Sequence, residues 1–477
     1  MKKRFFALLT AVCIALTTGL TTGLTALADG GENSDMTIGM STQEQCSCTT
    51  LCTEGNINPD CPVCGAEGAD LTACKGAPLL LRAAPLAAAE GAPNSLYVGD
   101  QQVSSGNDIT YWTTDKSTGG LTKYEGNNDN WNVKYDPSTA TLTLKGAKIS
   151  GSYHQYNNPY TAGIYAQGSS NQPVTLTIEL IGENTITGTF GIYVNATPPT
   201  TPGTDASLVI KKSGDNGSLT VTGTGNSGLH IISGTGDASL NIKNVAVTSS
   251  TDGEYAAGVN VQSGANATGS PNISLSVNGG SLTASGTGNS DGIKFYVGSS
   301  SDTTNATTSL TVTDNAIVDA RNGGISALKI LETLPTPTPT GENSSGIVFD
   351  GSTGTVYGTV ALQNELTIGE GESLTVPEGS SLDTNGNLTN SGTIINHGTL
   401  TGDVGGSGTV ITAPKITTTT LPNGTVDTEY KQTLTATGNN IRWSSDDLPE
   451  WLTLDNSTGV ITGTPTTADT YNFTVTA

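Results

Sequence analysis

The side chains best equipped for chemistry are few and fall in separate places. Cys46, Cys48, Cys52, Cys61, Cys64 and Cys74 form an even, local set. Such density reads as a disulfide-stapled mini-module, because so short a segment cannot bury enough apolar surface to fold unaided. The Cys61-x2-Cys64 pair also has the spacing of a zinc knuckle, so tetrahedral zinc is the competing chemistry. No βαβ pattern surrounds it, and redox catalysis is not implied. Arg321 with Asp314 and Asp319 is the one place where a basic group stands beside carboxylates able to hold calcium, the set a lyase needs. A lone Arg beside carboxylates reads first as an ion pair. Asp446, Asp447 and Asp455 are weak calcium candidates that read first as solvated carboxylates.

The rest of the composition narrows the field. The 477 residues include 19 basic and 42 acidic side chains, a net charge of −23 that repels phosphate backbones and anionic lipid, so nucleic acid is excluded as a partner. With four Arg and three His (His154, His230 and His397), general acids, bases and anion clamps are scarce and catalysis is the minority reading. Charged residues make up only 13% and glycine numbers 61, which rules out a helical protein and leaves an all-β one.

The elements that must position these groups follow from order along the chain. Lys2-Lys3-Arg4, an apolar run to about Leu24 and Ala26-Leu27-Ala28 have the form of a secretory signal, residues 1–28. No later stretch is long and apolar enough to span a bilayer. Residues 29–76 are the cysteine module and 77–94 a Pro- and Ala-rich linker. Residues 95–411 then repeat themselves: Gly-apolar-x-apolar recurs at Gly163, Gly191, Gly228, Gly258, Gly292, Gly324 and Gly346, with two further alternating runs in most copies, such as Leu176-Thr177-Ile178 and Leu208-Val209-Ile210. Three short period-2 strands per copy, separated by turn residues, predict a right-handed parallel β-helix in which each coil buries its apolar face against the next. Leu382, Leu388, Ile394 and Leu400, six apart, predict a tapered end of short coils, with a hexapeptide helix as the rival. Alternation points the third residue of each glycine unit away from the core. Tyr165 and Tyr193 should therefore stack outward on adjacent coils roughly 4.8 Å apart, continued by His230, Asn260 and Lys294. Trp112 and Trp131, near Tyr111, Tyr153, Tyr156 and Tyr160, add aromatic surface at the N-terminal coils. Aromatic faces beside hydrogen-bonding groups suit sugar rings, although each aromatic could equally stabilise the sheet.

Three resemblances extend this reading. Cys46-Ser47-Cys48 through Cys61-Pro62-Val63-Cys64 resembles a cysteine-rich module of clostridial surface proteins. Trp131 to Ile149 and Leu176 to Ile186 resemble the start of the carbohydrate-binding, pectate-lyase-like β-helices that clostridia secrete. That resemblance implies binding of an extracellular polysaccharide or host glycan, without implying cleavage. A polyanion such as pectate would need bridging Ca2+, a neutral glucan would not. The compact Asn-Thr-Asp, Asp-Asp, Gly-His-Gly and Arg-x-Lys set of polygalacturonase-like hydrolases is absent. Residues 412–477, with Leu421-Pro422-Asn423-Gly424, Ile441-Arg442-Trp443 and Thr458-Gly459-Val460-Ile461, resemble the Ig-like modules of the cadherin-like superfamily, with Asp427 in place of a usual Gly and Trp451 in place of a usual small residue. The sequence stops at Ala477 without a sorting signal, so attachment to the cell envelope is expected through a missing C-terminal part. The expectation is a secreted or surface-attached polysaccharide-binding or adhesion protein, non-catalytic. A β-helix lyase or hydrolase and a purely structural stalk are the alternatives.

Overall fold

The computed structural model describes residues 87–477 apart from 105, 127–128, 152, 155–160, 170–171, 197–203, 265–269, 299–305, 331 and 341–342. The six cysteines, the signal-like segment, Tyr156 and Tyr160 lie outside the described residues. Every element among the described residues is a strand, and the architecture is all-β: a β-solenoid of about six turns, then a small C-terminal β domain.

The solenoid begins with strands that run against its grain. Ser95–Val98 turns into Gln101–Gln102 and lies antiparallel on Thr161–Gln167. Thr110–Thr114, Leu121–Lys123 and Val133–Asp136 form an antiparallel meander leading to Thr141–Lys145. These strands occupy the edges that a stack of parallel coils would otherwise leave open at its start. Thr161–Gln167, Phe190–Asn195, Leu229–Ile232, Ala257–Ser263, Asp291–Val297 and Ile325–Lys329 then stack in parallel, in order, into a glycine-led sheet. The inward row Ile164, Ile192, Leu229, Val259, Ile293 and Ile325 is in register and buried.

In four copies the other two runs are one element rather than the two expected, while Thr307–Thr313 and Ala316–Ala320 stay separate. Val174–Gly188, Ala206–Gly223, Ala238–Thr251 and Asn272–Gly286 are long strands, paired in parallel along almost their full length and bent in the middle. The bend is a column of left-handed residues: Gly182, Asn244, Gly279, Gly280, Asp314 and Asn315 all have φ between 53° and 70°. Buried Asn184 braces it, donating from Nδ2 to the Gly182 carbonyl at 2.9 Å and accepting the Ala147 N–H at 2.8 Å. The glycine that opens each copy sits at another tight corner. A Cβ on Gly191 would lie 2.6 Å from the Gly228 carbonyl oxygen of the next coil and inside the Val221 side chain.

The seventh glycine copy does not continue the row. Gly346–Asp350 pairs in parallel with Ala316–Ala320, in the bent sheet, and then antiparallel with Thr353–Tyr357. The chain thus reverses and builds a second, smaller stack with its own core around Phe349, Leu374, Leu382, Leu388 and Ile394. The six-residue spacing marks successive sides of one three-sided coil: Leu382, Leu388 and Ile394 sit on three separate sheets, and Leu382 pairs with Leu400.

In the C-terminal domain Tyr430–Thr433, Val460–Gly463 and Leu452–Leu454 form one antiparallel sheet, and Lys415–Ile416 pairs with Ala436–Thr437. Leu434, Trp443, Leu452 and Ile461 are its core. Asp427 has φ 60°, which explains why glycine suits that position. The expected strand Tyr471 to Val475 joins no sheet: it packs Phe473 and Val475 against the core, and the next residue, Thr476, forms an isolated bridge with Ser444.

Candidate functional site

The row inferred from alternation exists. Tyr165, Tyr193, His230, Asn260, Lys294 and Ser326 are cross-strand partners on successive coils of the glycine-led sheet, on the face opposite the solenoid core. What alternation did not convey is how much of that face is covered. Tyr165 is 2% exposed, and His230 and Asn260 are 9% exposed, so the row is not the flat open strip expected of it. Part of the cover comes from the row's own aromatics. Tyr97 is the cross-strand partner of Tyr165. The Phe190 ring stacks on Tyr193 at 4.6 Å and 22°, and Tyr193 meets Tyr165 at 5.4 Å and His230 at 5.0 Å. Burial pushes the Tyr193 phenol up to about 12. Phe190 and Tyr97 were not legible as members of this cluster, because neither occupies the third position of a glycine unit.

Beyond the aromatics the row turns polar and incompletely paired. Burial pushes the His230 imidazole down to about 4; the Gln262 side chain opposes this without reaching good hydrogen-bond geometry, and neither ring nitrogen has a partner among the described residues. Asn260 donates to Gln262 Oε1 at 3.2 Å, while its Oδ1 has no partner. Lys294 Nζ lies 3.5 Å from Asp291, and the Ser326 hydroxyl is buried and unpartnered. Buried polar groups in folded proteins almost always find partners, so His230, Asn260 and, one coil beyond Lys294, Ser326 are exceptions within one column.

The other candidates separate. Trp112 is a correction: it is 8% exposed, in the core with Val103, Leu121 and Val133, and presents no face to a ligand. The hairpin that caps the first coil alternates too, and turns Trp112 inward and Tyr111 outward. Trp131 is half-buried, edge-on to Tyr111 at 5.8 Å, with Lys145 Nζ 5.2 Å from its ring; Lys145 also bonds Asp129 at 2.6 Å. Those neighbours occupy much of the Trp131 surface.

Asp314 and Arg321 belong to different structural tasks. Asp314 occupies the left-handed bend column described above. The Arg321 guanidinium lies 3.9 Å from the Phe349 ring, with Nε 3.7 Å from Asp319 and 3.5 Å from Glu372. It ties the first stack to the second at the point of reversal.

The three calcium candidates do not fit a shared ion. Asp455 Oδ1 accepts the Ser457 hydroxyl at 2.7 Å and the Ser457 and Thr458 N–H groups, each at 2.9 Å, and these bonds, the hydroxyl's foremost, hold its carboxyl well below the usual range. Asp447 Oδ1 accepts the Thr474 N–H at 2.8 Å. Asp455 is therefore committed to its own turn, and Asp447 to a bond that reaches the C-terminal segment. Among the described residues no three His, Cys, Asp or Glu converge as metal ligands.

The family described as Putative Ig domain matches residues 408–477, so the small C-terminal domain is Ig-like. No curated protein and no solved structure matches the chain. A β-solenoid joined to an Ig-like domain has the build of a surface or structural protein.

Proposed function

We propose that the protein is secreted and acts outside the cell as a non-catalytic polysaccharide-binding or adhesion module, with the polar part of the solenoid row as its glycan contact. The observation that carries this reading is the column His230, Asn260, Ser326, in which both His230 ring nitrogens, Asn260 Oδ1 and the Ser326 hydroxyl lack partners among the described residues, on coils that a sugar chain running along the solenoid axis would cross. Hydroxyl groups both donate and accept, so they can satisfy a neutral imidazole, an amide oxygen and a serine together. Lys294 adds one charged donor, and Tyr193 one aromatic edge. Contacts of this kind are individually weak and gain from repetition along a polymer.

The test is retention of the full chain on a panel of soluble and insoluble polysaccharides, with and without a calcium chelator. Retention on at least one neutral polysaccharide that survives the chelator is expected. Failure to bind any glycan would leave a purely structural stalk. Release of reducing ends or unsaturated products from a bound glycan would overturn the non-catalytic part.

A further inference from the structure

Trp451 is a large aromatic on the small Ig-like domain, and nothing in the solenoid reading uses it. A large aromatic on a small domain needs a reason. Trp451 lines a pocket of about 340 Å3 together with Asn423, Thr467, Asp469, Thr470 and Tyr471. That volume is at the lower end of the roughly 300–1,000 Å3 typical of small-molecule sites.

The aromatic walls are held in place. Trp451 meets Tyr471 edge-on at 5.4 Å and Tyr430 at 6.1 Å. The Tyr471 hydroxyl donates to the Thr467 carbonyl at 3.3 Å, and the Tyr430 hydroxyl to the Pro422 carbonyl at 3.0 Å. Both loops that frame the pocket are thereby tied to its rings. The Trp451 indole N–H has no acceptor among the described residues, which is also true of the core residue Trp112, so the pocket rests on its rings and rim. Around the rings stand exposed polar side chains. Asp469 accepts the Thr470 N–H at 2.7 Å through one oxygen, leaving its other oxygen for a ligand, and the Asn423 amide bonds no described group.

From this arrangement we infer that the Ig-like domain carries a glycan site of its own, a pocket for one neutral pyranose unit at the end or branch of a sugar chain. Aromatic walls take the apolar face of the ring, while Asp469 and Asn423 take its hydroxyls. No cation lines the pocket, and the Asp469 charge disfavours an acidic sugar. Aromatic grooves also accept proline-rich peptides. In this chain, however, Pro337 and Pro339 of the Pro-Thr repeat are buried, so that segment is not the occupant, and a hydroxyl-rich ligand uses the polar rim better. The site is independent of the solenoid row.

The test is a printed array of neutral, N-acetylated and uronate oligosaccharides with a polyproline peptide alongside, probed with the full chain. Asp469→Ala and Asn423→Ala follow on any hit; both residues are exposed, and neither change should alter melting. A neutral glycan hit that weakens about fivefold in each variant is expected, the loss of roughly one hydrogen bond apiece. Preference for polyproline or uronates, or a hit that neither variant weakens, overturns the inference. A hit lost on Asn260→Ala and indifferent to Asp469→Ala leaves the solenoid reading standing and removes this one; the converse removes the solenoid reading. Silence across the array removes both.

Discussion

Replacing Tyr193 by Ser measures whether the row on the glycine-led sheet is packed or merely displayed. From the sequence Tyr193 is an outward side chain whose loss should cost little. In the structure it stacks on Phe190 at 4.6 Å and meets the Tyr165 and His230 rings at 5.4 and 5.0 Å. Aromatic pairs contribute about 0.5–1.5 kcal/mol each beyond area burial, not additively, and truncating a well-packed ring costs about 3–5 kcal/mol in a full core. For a half-buried ring, about 2–4 kcal/mol is expected. In a domain of this size each kcal/mol moves the melting temperature by about 2–4 °C, so a fall of about 4–16 °C should follow, read by calorimetry on the full chain. A variant melting within about 1 °C of the parent would refute the packing argument and restore the open strip.

Three further outcomes follow from particular contacts. Gly191→Ala should cost about 2 kcal/mol or more, because its Cβ would lie 2.6 Å from the Gly228 carbonyl oxygen; an unchanged denaturant midpoint would show that the corner yields. Arg321→Ala should lower the melting temperature by removing the link from Asp319 to Glu372 and Phe349, and Arg321→Lys should recover it only in part, since an ammonium cannot stack as a planar guanidinium does; full recovery by Lys would deny the stacking. Burial holds the His230 imidazole at about 4, against about 6.5 unfolded, so the unfolded chain takes up the proton first. Its contribution, about 2–3 kcal/mol, is therefore complete above about pH 6.5 and lost progressively toward pH 4; His230→Gln should lose less stability between pH 7 and pH 4.5 than the parent, and equal losses would contradict the burial.

Much of this architecture was legible because alternation and turn glycines are local signals. Six glycine copies fell in register as spaced, and the inward Ile164 and Ile192 are core. The Gly346 copy misled because Gly-apolar-x-apolar describes a strand entering a corner, not which sheet it joins; Gly346–Asp350 lies in the bent sheet and turns back on itself. Asp314, named with Asp319 and Arg321 as the one local lyase candidate and read first as part of an ion pair, is a bend residue, because its left-handed φ is one that Asp and Asn adopt more readily than other side chains. Tyr165 and Trp112 failed for one reason. Period-2 alternation assigns a side chain to one face of a sheet, yet says nothing about what else packs on that face. The Ig-like pocket was invisible because Trp451, Asp469 and Asn423 meet only through tertiary packing.

The most direct test of the glycan-contact reading is His230→Leu, with melting at pH 7 and retention on the best-bound polysaccharide measured on the same preparation. If the buried imidazole is unpaired for the sake of a ligand, a similarly sized apolar side chain should leave the melting temperature unchanged or raise it, because an unsatisfied polar group is removed, while retention falls several-fold. A lower melting temperature with retention equal to the parent would contradict it and make His230 a packing residue of the aromatic cluster.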